Sequence, residues 1–172
     1  IYTLFQNGFQ GTAALTCEEE IGKSWLHMTN WLHDQKLETK SLVILDTSPY
    51  REEDPVKNNW VVLRNRDKSG IFNKELVHKI KNRCVSLSLP FQVKDEYFLS
   101  LGLKEEDLGS TELGRIVENT KNQWNGATIQ IPTTEYHTSY ETTSRGCIES
   151  YYALLNSLLI QDSIFEHALN ET

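Results

Sequence analysis

Residues 41–45, Ser-Leu-Val-Ile-Leu, constrain the fold more than any other stretch of the chain. A continuous apolar run of strand length, without alternation, is the pattern of a strand buried on both faces. Residues 60–63 (Trp-Val-Val-Leu) and 127–131 (Ala-Thr-Ile-Gln-Ile) repeat the signal, and residues 12–17 form a shorter apolar run that ends in acids. Segments of helical period separate these runs. Trp25, Met28, Trp31 and Leu32 share one face of residues 23–35, and Leu76, Val77, Ile80 and Cys84 share one face of residues 73–87. Asn73 is placed to cap the second helix. Residues 110–119 also read as a helix, and Ile148, Tyr151, Leu155 and Leu158 mark a long amphipathic helix near the end. Strands alternating with helices predict an α/β fold, a mixed sheet covered by helices on both faces. The four prolines fall between segments, which predicts one compact unit without a linker.

Composition excludes several classes of function. The net charge of −7, with dispersed acids, argues against a nucleic-acid partner, which needs a basic face. No apolar stretch approaches the roughly 20 residues that cross a bilayer, so no membrane partner is expected. Three well-separated cysteines, Cys17, Cys84 and Cys147, form no Cys-x-x-Cys pair and no disulfide framework. Each reads as a small buried hydrophobe in a reducing, cytoplasmic setting.

In α/β sheets ligands gather beyond the carboxyl ends of strands, and three features fall just after predicted strands. Cys17-Glu18-Glu19-Glu20-Ile21-Gly22 places three acids between the run at 12–17 and a helix. Acids at a helix start are often only stabilised by its dipole. Alternatively, one carboxylate binds a metal while its neighbour takes a proton from the attacking water. Asp46 closes the run at 41–45, as a turn former or as a ligand on a rigid element. His137 follows the run at 127–131 by a short polar loop, whereas His27, His33, His78 and His167 lie in predicted helices. Two adjacent acids, an Asp and a His suit zinc, cobalt or manganese.

In this order and at these distances, Glu19-Glu20-Ile21-Gly22, the run ending in Asp46-Thr47, and Pro132 through Tyr136-His137 to Glu141 resemble the TET-type dinuclear metal aminopeptidases, relatives of glutamyl and deblocking aminopeptidases. Asp67-Lys68-Ser69-Gly70 ahead of the Asn73 helix and Leu89-Pro90-Phe91-Gln92 resemble further segments of that family, and the terminal helix resembles the one closing its catalytic domain. The resemblance implies a metallopeptidase that hydrolyses N-terminal residues of peptides with water activated by two divalent metal ions, zinc or cobalt, with manganese as a further candidate. It implies Glu19 as the general base, with Glu20, Asp46 and His137 as metal ligands. Glu20 and His137 would share one metal and Asp46 would bind the other. Glu18 leaves the register of the acidic pair open by one residue, and Gly22 favours Glu19 and Glu20.

The chain departs from the family pattern in two places. No His-x-Asp motif, bridging Asp or inserted small domain accompanies these residues. The resemblance then implies that residues 1–172 are the C-terminal portion of a zinc-peptidase-like catalytic domain, part of a longer homo-oligomeric enzyme and inactive alone. Gly109-Ser110-Thr111-Glu112 stands where the family has a Gly-Thr-Asp-like turn near the substrate, so its acid is longer by a methylene. The other readings are a degenerate, non-catalytic relative that binds peptides or assembles, and a related aminoacylase or carboxypeptidase. The spacing from Asp46 to His137 speaks against the last.

Overall fold

The computed structural model describes residues 1–19, 21–35, 41–50 and 53–161. Four strands form one mixed sheet: β1 (Ser41–Pro49), β2 (Val61–Leu63), β3 (Phe91–Val93) and β4 (Asn125–Thr133), in the order β1-β4-β2-β3. β1 and β4 run parallel, with Asp46 opposite Gln130 and Pro49 opposite Thr133. β2 is antiparallel to β4 and parallel to β3. The helices are α1 (Tyr2–Gln6), α2 (Ser24–Asp34), α3 (Asp54–Lys57), α4 (Lys74–Ser86), α5 (Lys94–Ser100), α6 (Glu112–Asn119) and α7 (Arg145–Asn156). A 3-10 turn (Glu105–Asp107) precedes α6, and a π-helical turn (Ser157–Gln161) follows α7.

Side chains alternate across a strand, so the two faces of the sheet can differ in chemistry. One face is apolar: Val61, Leu63, Ala127 and Ile129 pack with Leu76, Val77 and Ile80 of α4 and Leu154 and Leu155 of α7. On the opposite face, α2 and α6 enclose Leu32, Ile116 and Trp124, against which Leu42 packs. Further along that second face the buried side chains turn polar. Ser48, Thr128, Gln130, Arg64 and Lys94 are all buried there. The expected sheet, covered by helices on both faces, is the observed one; the polarity of half of it was not expected.

The expected cap of α4 is present, and α6 has a cap that was not anticipated. Asn73 caps α4 through its Oδ1, which accepts from Leu76 N at 3.0 Å. Thr111 caps α6, its Oγ1 accepting from Gly114 N at 3.1 Å. Cys84 and Cys147 are buried as small hydrophobes, but Cys17 is exposed. The run at residues 12–17 forms no strand, and Leu15 is 87% exposed. An extended segment becomes a strand only through a ladder partner, and none lies beside it among the described residues. β1, in turn, does not end at Asp46 but continues to Pro49, because Thr47 and Ser48 keep pairing with Ile131 and Pro132. Asp46 is therefore an internal strand residue, not a strand-closing one.

A buried carboxylate joins the loop after β2 to the start of α6. Asp67, wholly buried, accepts from Ser69 N (2.7 Å), Gly70 N (3.0 Å), Thr111 N (2.6 Å) and Thr111 Oγ1 (2.8 Å). Lys68 N donates to Gly109 O at 3.0 Å, and the Ser69 and Ser110 hydroxyls meet at 2.9 Å. A methyl group on Gly114 would overlap the Asp67 carboxylate, which four hydrogen bonds prevent from moving aside. Gly114→Ala is therefore expected to destabilise the protein by about 1–3 kcal/mol despite the better helix propensity of Ala. Urea unfolding measures this, and a variant as stable as the wild type would show that the Asp67 loop yields freely.

Candidate metal centre

Asp46 lies on the polar face of the sheet. Its Oδ1 accepts from Thr47 N at 2.7 Å and its Oδ2 from Gln130 Nε2 at 3.2 Å. Burial raises its pKa, against the opposing pull of those two hydrogen bonds and the charges of Arg64 and Lys94. Gln130 also donates to Thr47 O at 3.0 Å and accepts from Arg64 Nε at 2.9 Å. Arg64 Nη1 reaches Leu108 O at 2.8 Å. A polar chain thus crosses the sheet from β1 through β4 to the residue after β2.

Glu112 is the second acid of this region, at the first position of α6 and 9% exposed. Burial raises its pKa first, and repulsion by Glu19 and then Asp46 raises it further. The nearby Ser24 and Thr16 hydroxyls pull the other way. Even so, Oε1 is buried with no hydrogen-bond partner among the described residues. Glu112 thus lies within electrostatic reach of both Glu19 and Asp46. Sequence reasoning saw it only as a substituted turn residue; three turn-forming positions ahead of an acid give no hint that it is buried.

Glu20 lies outside the described residues. Glu18, at a φ of +59°, is turned away to His27, whose Nε2 stands 2.7 Å from Glu18 Oε2. Glu19 O accepts from Gly22 N at 2.7 Å, closing the turn on the glycine. His137 stands in the exposed loop after β4 at a φ of +60°, its ring stacked on Tyr136 at 3.8 Å between centroids. Its backbone N donates to Glu141 Oε2 at 3.3 Å. So the fold gathers Glu19, Asp46 and Glu112 in one electrostatic neighbourhood and carries His137 on the loop beyond the carboxyl end of β4.

Among the described residues no three His, Cys, Asp or Glu side chains converge closely enough to hold a metal ion. The donor chemistry nonetheless suits a divalent cation. Mutually repelling carboxylates with an orphaned buried oxygen are relieved by positive charge, and carboxylate oxygens are hard ligands. A cavity of about 570 Å³ lies elsewhere, lined by Ser41, Asn73 and Asn125 at the amino ends of β1, α4 and β4.

Lys94, 3% exposed, is the other unusual ionisable group. Its Nζ donates to Ser48 Oγ and Pro49 O, each at 2.8 Å, and sits 4.7 Å from the Tyr50 ring centroid and 5.1 Å from that of Phe98. Burial, and then the Arg64 charge, push its pKa down to about 7, with Asp46 opposing.

No family model matches the sequence, and no curated protein matches it. Solved structures do share its fold. A TET aminopeptidase from the marine sediment archaeon Thaumarchaeota archaeon SCGC AB-539-E09 matches 87% of this chain and 39% of its own, with a TM-score of 0.65 at 19% identity. The aminopeptidase APDkam598 from the archaeon Desulfurococcus kamchatkensis matches 84% and 39%, with a TM-score of 0.62 at 13% identity. The Pyrococcus horikoshii TET1 peptidase, which can assemble into a tetrahedron or a large octahedral shell, matches 84% and 39%, with a TM-score of 0.56 at 16% identity. The chain therefore has the fold of part of a TET aminopeptidase and spans about two-fifths of the length of these proteins. Among the described residues no helix is long and apolar enough to cross a membrane.

The depressed Lys94 pKa has a measurable sign. Between about pH 7 and the ordinary lysine value of 10.5 the unfolded chain holds a proton that the folded one has lost. Unfolding free energy then rises with pH across that window, and the penalty of burying the cation is complete below it. In urea titrations at stepped pH, Lys94→Met is expected to flatten this rise. An identical pH slope in the two proteins would show that Lys94 keeps its proton when folded.

Proposed function

We propose that this chain is the C-terminal part, over residues 1–172, of the catalytic domain of a dinuclear metal aminopeptidase acting on peptide N-termini. The observation that carries the proposal is the charge pattern on the polar face. Glu19 and Asp46 each repel Glu112, whose buried Oε1 has no hydrogen-bond partner among the described residues, on a fold shared with TET aminopeptidases.

Glu20, Asp46 and His137 are the residues assigned to hold two divalent ions, zinc or cobalt by their mixed oxygen and nitrogen chemistry. Such ions, when bound, would supply Lewis-acid polarisation of the scissile carbonyl and acidify the attacking water. Glu19 is assigned as the base that takes the water proton and delivers it to the leaving amine. The engagement of Glu18 by His27 supports Glu19 rather than Glu18 in that role. Asp46, held on an internal strand position by two hydrogen bonds, gives its ion a rigid support. Assembly into homo-oligomers and a cytoplasmic setting belong to the same proposal; the assembly of the Pyrococcus horikoshii peptidase supports the former.

A second reading, a non-catalytic relative that binds peptides or assembles, is favoured by the lack of a three-ligand group among the described residues. Hydrolysis of aminoacyl-p-nitroanilides by the purified full-length protein separates the two. Under the aminopeptidase reading, chelation abolishes the rate and zinc or cobalt restores it. Glu19→Gln is expected to lower kcat by about 10²–10⁴-fold with KM little changed. An unaltered kcat in Glu19→Gln would remove Glu19 from the mechanism, and a full-length protein with no metal-dependent rate would favour the non-catalytic relative.

A further inference from the structure

Asp46 is an unusual candidate ligand because its environment leaves it little freedom. A carboxylate offers about four lone-pair sites. Thr47 N and Gln130 Nε2 occupy one on each oxygen, at 2.7 and 3.2 Å. What fixes the carboxylate is thus the orientation of the Gln130 amide, and that orientation is decided by its neighbours. Arg64 can only donate, so Gln130 must turn Oε1 to the guanidinium, 2.9 Å from Nε. Thr47 O can only accept, so Nε2 must face it at 3.0 Å, which brings the second amide proton to Asp46. Arg64 is itself anchored on Leu108 O at 2.8 Å. Gln130 is 2% exposed and Arg64 5%, so water does not compete at either.

We infer that Gln130 is a positioning residue for Asp46, and that Arg64 acts on Asp46 through Gln130 by deciding which end of its amide faces the carboxylate. The inference rests on the reading of Asp46 as a metal ligand. It assigns roles to two residues that the acidic pair, the Asp and the His do not include. Gln130 holds the carboxylate in one rotamer without neutralising it, so its remaining lone pairs stay available to a cation. A glutamate at the same place would satisfy Arg64 better and Asp46 worse, since it has no proton to give and repels the neighbouring acid.

That asymmetry separates positioning from a merely structural role. The measurement is zinc affinity of the full-length apoprotein by isothermal titration calorimetry, with unfolding midpoints recorded alongside. Q130M is expected to weaken zinc binding by about 10–100-fold, the usual effect of removing an outer hydrogen bond to a ligand. Q130E is expected to weaken it as well while keeping or raising the unfolding midpoint, because it pairs with Arg64. The double variant R64M/Q130M is expected to bind zinc no more weakly than Q130M, since Arg64 has nothing left to orient. Asp46→Asn sets the scale for losing the ligand itself. If Asp46→Asn weakens zinc binding and Q130M and Q130E do not, the positioning role is wrong and the metal reading stands. An R64M loss that adds in full to that of Q130M overturns the relay and leaves Arg64 acting by its own charge. If Asp46→Asn itself leaves the affinity unchanged, Asp46 is not a ligand, and both the metal assignment and this inference fall.

Discussion

A guanidinium has five donors and no acceptor, so burying Arg64 obliges everything around it to accept. Desolvation works against its charge and lowers its pKa, and nearby acids such as Asp67 and Asp95 oppose that shift. The direct partners are neutral: the Gln130 Oε1 and the Leu108 carbonyl. Through the first, Arg64 fixes an amide on the central strand; through the second, it ties down the loop that leads to Glu112. Half of one sheet face is polar because this cation lies beneath it. Replacing one partner alone would leave a buried donor unsatisfied, which costs more than the hydrogen bond contributes.

Asp67 complements that arrangement from the other side. Its four hydrogen bonds fasten the turn at residues 67–70 to Thr111, the residue that caps α6. Arg64 and Asp67 therefore hold opposite ends of the segment from Leu108 to Thr111. The position of Glu112, one residue later, is set by two buried charges and not by the short helix that it begins. This explains how an acid can be kept buried against the repulsion of Glu19 and Asp46.

The polar face combines two cations that neighbouring groups satisfy with acids that they satisfy incompletely. Lys94 is held by a hydroxyl, a carbonyl and two aromatic rings, and burial, with the Arg64 charge second, brings its pKa to about 7 against the pull of Asp46. Asp46 and Glu112 remain raised despite their hydrogen bonds. Such displacement of several titratable groups in one region is characteristic of functional sites. Here the displaced groups include Asp46, one of the residues singled out by their order along the chain.

The chain's periodicities were enough to place α2, α4, α6, α7, β1, β2 and β4, because each carries an apolar face whose spacing is local information. The cap at Asn73 is equally local, whereas the cap at Ser144, whose Oγ accepts from Cys147 N at 3.0 Å, was not anticipated. Residues 12–17 misled for the opposite reason: apolar composition permits a strand, but only a neighbouring strand makes one. Likewise Asp46 looked like the end of a strand because a charge follows an apolar run, whereas the ladder to β4 carries β1 on to Pro49. The sequence by itself determined an α/β chain and singled out Glu19, Glu20, Asp46 and His137 as candidates. Only the tertiary structure decided that Glu112 joins Glu19 and Asp46, that Glu18 turns to His27, and that Gln130 and Arg64 govern Asp46. Those decisions are made by contacts between side chains that are not neighbours in sequence, which local periodicity does not encode.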